Sequence, residues 1–306
     1  MPQSLYEAFS RALPGLQTRR DEPLCRHTSF RIGGPAALMI FPRSEDELTA
    51  ALRLCADLET VPAVLGAGTN VLAPDEGLPG VVISTRELNE IRMVGDCEIE
   101  AACGVTLARL AVFARDRGLT GLEFAHGIPG TVGGGMYMNA GAYGGELVQV
   151  AVSARFLTLT GEVHEYHGEE MGLSYRHSAF MEQAGLIVSA RFRLRPGDPE
   201  AVTARMRELM EKRSKSQPLD LPSAGSTFKR PVGGYAAALI QDAGLKGFRV
   251  GDAAVSEKHS GFVVNLGHAT AADVLELIRQ VQERVCANSG IRLEPEVRLW
   301  GTEEAT

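Results

Sequence analysis

The sequence predicts a mixed α+β protein of two domains, and three observations carry that prediction. Segments with apolar residues at helical spacing are interspersed with short runs of strand character along 306 residues. The stretch from Val148 to Arg195 turns consistently to β. The break at Pro196-Gly-Asp-Pro199 then separates this half from a more helical remainder, which divides the chain into 1–197 and 198–306. A chain of this length corresponds to about two domains of ~150 residues and buries about three quarters of its unfolded surface.

Each element has a local cause. Ser44-Glu-Asp-Glu47 reads as a capping box opening a helix with Leu48, Leu52 and Cys55 on one face. Val61 to Leu65, ended by Gly66, reads as a buried strand, and Val81 to Ile83 as another. Thr106 caps a helix that turns Leu107, Leu110, Ala111 and Ala114 inward and stops at Gly118. From Val148 to His167 the pattern is β, with Thr160-Gly161 as a hairpin turn. Over 187–195, Val188, Ala190, Phe192 and Leu194 alternate with Ser189, Arg191, Arg193 and Arg195. That is a half-buried strand whose arginines form a solvated face. After the break, Val202, Met206, Leu209 and Met210 share one side of a helix, and Lys212 to Pro222 reads as a basic loop. Thr270-Ala-Ala-Asp273 caps the last long helix, with Val274, Leu277, Ile278, Val281 and Val285 inward. Asn288-Ser-Gly290 ends it, and Ile291 to Trp300 closes as a strand.

Composition narrows the function. Thirty-one basic against 38 acidic side chains give a net charge of −7, a poor basis for general nucleic-acid binding. No run approaches the ~18 apolar residues of a membrane span. The N-terminus has no basic region followed by an apolar one, so a cytoplasmic protein is expected. The five cysteines are scattered, without a C-x-x-C pair, and read as reduced thiols; no metal site is expected. The motifs of P-loop NTPases, zincins and α/β-hydrolases are absent. No feature marks an oligomer interface, so a monomer is expected.

Glycine, 34 residues of 306, gathers where chemistry is expected. Leu65-Gly-Ala-Gly-Thr-Asn-Val-Leu72 follows a strand and permits backbone N–H groups to approach an anion. It is not a Rossmann fingerprint, because Val71 stands at the third glycine position. A plain turn explains it equally well. Gly127 to Gly145 holds eight glycines in nineteen residues, interleaved with Ile128, Val132, Met136, Tyr137 and Tyr143 rather than with serine. Such a run wraps backbone around a ligand. Gly225-Ser226, Tyr175-Arg176 and Glu294-Pro-Glu296 are further polar sites, each of which reads by itself as ordinary turn or surface.

Together these segments resemble the UDP-N-acetylenolpyruvoylglucosamine reductase (MurB) family. The resemblance runs from His27-Thr-Ser-Phe-Arg-Ile-Gly-Gly-Pro-Ala36 to Leu293-Glu-Pro-Glu-Val-Arg298. Its most specific parts are Gly121 to Gly134, Tyr137 to Tyr143, Ala243 to Phe248 and Val255 to His259. The short connections after Gly247 resemble the type II branch. The resemblance implies an FAD-binding module of the vanillyl-alcohol-oxidase (PCMH) type over 1–197, in two subdomains split near residue 62. A smaller α+β substrate domain follows over 198–306, its last strand returning to the active site.

By the same resemblance, dissociable FAD is held by Gly66, Ala67, Gly68, Thr69, Asn70, Gly127, Ile128, Pro129, Gly130, Thr131, Gly133, Gly134, Asn139, Ala140 and Gly141. NADPH is the implied co-substrate. The implied reaction passes hydride from flavin N5 to the methylene of UDP-N-acetylglucosamine enolpyruvate, giving UDP-N-acetylmuramate for peptidoglycan. Arg176 matches the residue that stabilises the enolate and Ser226 the proton donor. Glu296, the third match, is either protonated or orients a cation. Tyr175, Lys215 and Lys229 are implied substrate contacts. The competing expectations are an FAD-dependent oxidase of a sugar or alcohol, and a flavin-binding regulator without turnover.

Overall fold

A computed structural model of the chain describes residues 5–301. It forms two compact units. The first takes residues up to 21, 37–67 and 79–212; the second takes 22–36, 68–78 and the residues from 213 onward.

The first unit contains helices α1 (Leu5–Ala12), α2 (Glu45–Asp57), α3 (Leu107–Arg115), α4 (Val132–Tyr137) and most of α5 (Pro199–Ser216). Ser44 Oγ caps α2 by accepting from the Glu47 amide at 3.1 Å. The Glu47 carboxylate reaches back to the Arg43 amide at 2.8 Å, one residue before the cap, so the expected box closes one position early. Thr106 Oγ1 caps α3 as expected, accepting from the Arg109 amide at 3.1 Å.

One sheet of this unit orders its strands Gln17–Pro23, Pro35–Phe41, Leu78–Ser84 and Ala63–Leu65, the last pair parallel. Its core joins Phe9 of α1 and Leu48, Leu52 and Cys55 of α2 to Leu38, Ile40, Val81 and Ile83. A second core gathers residues from 91 onward, while Cys103, Leu157, Leu186 and Val188 return to the first. Val61, expected in a buried strand, is 77% exposed, because pairing begins only at Ala63.

The second sheet is five-stranded and antiparallel, ordered Val163–His167, Ala151–Thr158, Gly185–Arg193, Glu98–Ala102 and Ile91–Gly95. The expected alternation over 187–195 breaks at one place. Arg155 pairs with Ser189 but Phe156 with Ile187, leaving Val188 as a bulge. Val188 and Leu186 therefore enter the first core, while Ile187, Ala190, Phe192 and Leu194 enter the second. Arg191 and Arg193 do form a charged face, paired with Glu100 and Glu98.

Helix α5 accounts for the position of the division between units. Val202, Met206 and Leu209 pack into the second core of the first unit, so the boundary falls after Lys212 rather than at 197. The helix also runs on through Lys212 to Ser216, where the sequence suggested a loop.

In the second unit, strands Ser223–Ser226, Phe262–Asn265, Ala253–Val255 and Arg249–Val250 form a sheet, accompanied by α6 (Ala236–Asp242) and α7 (Ala271–Ser289). Its core joins Val274, Leu277 and Val281 of α7 to Phe30, Ile32 and Leu72, which explains why two short N-terminal segments belong here. The Thr270/Asp273 capping box opens α7 as expected, and Asp75 accepts from the Ala271 and Ala272 amides at 2.7 and 3.0 Å. Gly290, at φ +74°, closes it. The final strand is shorter than expected. Only Arg298–Leu299 pair, parallel to Val71–Leu72. No described helix is long and apolar enough to cross a membrane.

Candidate cofactor and reaction site

The first glycine segment begins where strand Ala63–Leu65 ends. The N–H groups of Gly66, Ala67, Gly68, Thr69 and Asn70 donate to no acceptor among the described residues. Gly68 is left-handed at φ +66°, and a Cβ there would stand 2.1 Å from the His27 carbonyl oxygen. Its own carbonyl accepts from the Ser29 amide at 2.9 Å and from Ser29 Oγ at 3.3 Å. Ser29 Oγ also donates to the Ser223 carbonyl at 2.6 Å. The loop is thus fixed through its carbonyl while its amides stay available. Consecutive free amides around a left-handed residue form a concavity suited to an anionic group such as a diphosphate.

The second segment meets the first inside the first unit. A Cβ at Gly66 would stand 2.6 Å from Thr131 Oγ1, the side chain that caps α4. A Cβ at Gly133 would stand 2.8 Å from Cys103 Cβ. The Gly130 carbonyl accepts from the Leu107 amide at 2.9 Å. These glycines therefore serve close backbone packing as well as ligand approach. Burial pushes the Cys103 thiol up to about 12. The Gly66 and Ala67 amides and the glycine cradle of the first unit fit FAD.

The two asparagines of these segments face protein rather than open space. Asn139, fully buried at φ +42°, accepts from the Val148 amide at 3.0 Å through Oδ1. Its Nδ2 donates to Glu146 Oε2 at 3.1 Å and to the Ser174 carbonyl at 2.9 Å. Asn70 Nδ2 donates to the Glu296 carbonyl at 3.1 Å.

Arg176 occupies a tight turn. Ser174 and His177 exchange backbone hydrogen bonds at 3.0 and 3.2 Å, leaving Tyr175 and Arg176 at the tip, with Arg176 left-handed at φ +53°. For an arginine this is an uncommon conformation, held by its surroundings. Its guanidinium lies 5.2 Å from the Tyr175 ring centroid and donates to the Gly141 carbonyl at 3.4 Å. Ser178 Oγ, fully buried, donates to the Tyr137 carbonyl at 2.7 Å just beyond the turn.

In the second unit Ser226 and Glu296 come together. The Glu296 amide donates to the Thr227 carbonyl at 2.8 Å, so the two residues stand on adjoining segments. Gly225, at φ +77°, and a register shift between Ser223 and Ser226 turn the strand end. Ser226 Oγ makes no hydrogen bond to another described residue. His259 lies on the loop beside it; burial lowers its pKa, and its Nδ1 accepts from the Gly261 amide at 3.2 Å. Lys229 pairs with Glu294 at 3.4 Å, whereas Lys215 is an exposed residue in the last turn of α5. Among the described residues no cluster suits a metal ion.

Sequence reasoning missed Ser29 and Ser178. A serine's partner carbonyl leaves no mark in local sequence.

Free amides on a glycine loop, a second glycine segment packed on it and a module of sheets and short helices define an FAD-binding oxidoreductase. Comparison with known proteins agrees. Residues 36–167 match the model of an FAD binding domain, and residues 217–300 match the UDP-N-acetylenolpyruvoylglucosamine reductase C-terminal domain. The reductase of Agathobacter rectalis is 46% identical over 98% of this chain and 99% of its own length. That of Streptococcus uberis is 45% identical over 96% of each. The crystal structure of MurB from Thermus caldophilus superposes with a TM-score of 0.80 at 37% identity, covering 93% of this chain and 98% of that one. The chain belongs to the UDP-N-acetylenolpyruvoylglucosamine reductase family.

Proposed function

We propose that this chain reduces UDP-N-acetylglucosamine enolpyruvate to UDP-N-acetylmuramate with electrons from NADPH, a step in making peptidoglycan precursors. The observation that carries the reading is Ser226 with a disengaged hydroxyl, one residue from the Thr227 carbonyl that holds Glu296. FAD, with Gly127 to Gly141 among the residues that would hold it, would supply the hydride chemistry that couples NADPH to the enol ether.

The chain's own residues handle the charge and the proton. Hydride addition leaves negative charge on the carbon beside the carboxylate, spread onto that carboxylate. Arg176 meets it, because a planar guanidinium matches a carboxylate with two parallel hydrogen bonds. Ser226 Oγ gives its proton to the carbon, a transfer driven by the strong basicity of the enolate. Glu296 lies beside this donor and governs the polarity around it. Lys229 and Lys215 meet the diphosphate. Lys229 gives up little to do so, since an exposed ion pair such as that with Glu294 is worth only about 0–1 kcal/mol. Tyr175 lines the pocket beside Arg176.

The test is the flavin spectrum under anaerobic conditions. NADPH bleaches the oxidised flavin, and the enol ether restores it. Arg176→Ala, Ser226→Ala and Glu296→Ala still bleach but recover slowly. Bleaching without recovery in the unaltered protein would refute the reading and favour an oxidase or a flavin-binding regulator.

A further inference from the structure

We infer that the asparagine of each glycine segment is a positioning residue for a reaction residue, Asn139 for Arg176 and Asn70 for Glu296. The inference rests on the roles proposed for Arg176 and Glu296.

An asparagine among glycines beside a cofactor loop invites the reading that its amide touches the cofactor. The hydrogen bonds say otherwise for Asn139. Its oxygen accepts from Val148 N, and its nitrogen donates both available protons, to Glu146 Oε2 and the Ser174 carbonyl. An amide nitrogen has two protons, so none remains for a ligand. The bond to Ser174 matters most for function. Ser174 is the first residue of the turn that carries Arg176, and its N–H and C=O are the two groups that close the turn with His177. A second bond, Ser178 Oγ to the Tyr137 carbonyl, fastens the far side of the same turn to the same glycine segment. A left-handed arginine costs of order 1–3 kcal/mol and persists only where its surroundings hold it. These two part-buried bonds contribute to that hold.

The second unit repeats the device. The Glu296 amide is fixed on the Thr227 carbonyl and its carbonyl is fixed by Asn70 Nδ2. The Asn70 carbonyl in turn accepts from Arg298 N at 3.0 Å. The stretch carrying Glu296 is therefore tied to Thr227 on one side and to Asn70 on the other. In each unit the asparagine side chain of the glycine segment bonds to backbone at or beside a reaction residue.

The test separates the two half-reactions. Asn139→Asp keeps the acceptor for Val148 but sets an oxygen against the Ser174 carbonyl. Combining it with Glu146→Gln removes the clash of carboxylates, so the pair of changes isolates loss of the Ser174 bond. Asn70→Ala removes the donor to the Glu296 carbonyl without adding a charge to the loop. Ser178→Ala is a milder change to the first turn, used if the Asn139 variant fails to fold. The expected result is FAD content per chain near that of the unaltered protein and bleaching by NADPH within about twofold. Recovery with the enol ether slows about 10- to 100-fold, the scale of a reacting group misplaced by about 1 Å. In an Arg176→Ala background the Asn139 or Ser178 change adds less than about twofold, because the group it positions is gone.

Loss of FAD, or equal slowing of both half-reactions, overturns the inference in favour of cofactor binding or general folding. Undiminished recovery in the asparagine and Ser178 variants, with slow recovery in Arg176→Ala, overturns it alone. Fast recovery in Arg176→Ala overturns the role given to Arg176 and this inference with it.

Discussion

Gly68→Ala tests how tightly the first glycine loop is built. Two costs are expected, and they can be separated. The first is conformational: at φ +66° an alanine is strained by about 1–2 kcal/mol. The second is steric. The new Cβ would lie 2.1 Å from the His27 carbonyl oxygen and 3.0 Å from Thr28 Cα. A Cβ essentially never comes within 3.0 Å of another heavy atom, so the loop or the 27–28 backbone must shift to relieve the 2.1 Å contact. The Ser29 bonds to the Gly68 carbonyl, at 2.9 and 3.3 Å, cannot survive such a shift intact. An overpacking cost of about 1–3 kcal/mol joins the strain, about 2–5 kcal/mol in all. Gly290→Ala is the control, since Gly290 has a similar φ of +74° and nothing within 4 Å of the added Cβ. It should lose only the conformational part. Urea unfolding followed by circular dichroism measures the stabilities, and FAD titration of the apoprotein measures the loop. Gly68→Ala should bind FAD at least tenfold more weakly, with Gly290→Ala unchanged. Equal destabilisation of the two variants with equal FAD binding would refute the packing argument.

Three further outcomes follow from particular groups. Burial alone would raise the Glu100 pKa, but hydrogen bonds from Arg191 and Arg92, both at 2.7 Å, override it and hold it below the usual 4.5. Its contribution to stability is present above about 4.5 and lost as pH falls through the lower folded value, so acid titration of unfolding should show a shallower acid limb in Glu100→Gln. Burial pushes the thiols of Cys55 and Cys103 up to about 12, while Cys286 is exposed. Iodoacetamide at pH 8 should label Cys286 first and leave Cys55 and Cys103 unmodified in the folded protein, as read by peptide mass. Thr270→Ala removes the cap of α7 and should cost about 1 kcal/mol of stability in urea unfolding, leaving flavin recovery unchanged.

What was legible in the sequence was local. The caps at Ser44, Thr106 and Thr270 need only a hydroxyl and an amide three residues on, and all three form. Helix faces follow a spacing of three and four, and Leu48, Leu52, Val274 and Leu277 are buried accordingly. What failed depended on partners elsewhere in the chain. The bulge at Val188 is set by the register with Arg155 and Phe156, not by the alternation around it. The last strand shrinks to two residues because its partner, Val71–Leu72, is two residues long. The unit boundary moved because three apolar residues of α5 find their core upstream. Residues 22–36 and 68–78 join the second unit because Phe30, Ile32 and Leu72 complete a core otherwise built after residue 213.

The site shows the same divide more sharply. Its second glycine run was readable by composition, while Arg176 and Ser226 read alone as surface or turn and stood out only through the family resemblance. Their division of labour was not. Asn139 reaches a carbonyl 35 residues away and Asn70 one 226 residues away, and nothing beside either residue marks those acceptors. The structure also gives the glycines a second use. Gly66, Gly68 and Gly133 each turn the side that would bear a Cβ onto protein, at 2.6, 2.1 and 2.8 Å from the nearest atom. A loop pressed that closely on its own scaffold cannot relax toward its amides. Those amides keep no acceptor among the described residues, and a rigid donor set would bind an anion without the cost of ordering it first. The absence of a side chain is thus what lets the loop press on its scaffold and holds it still.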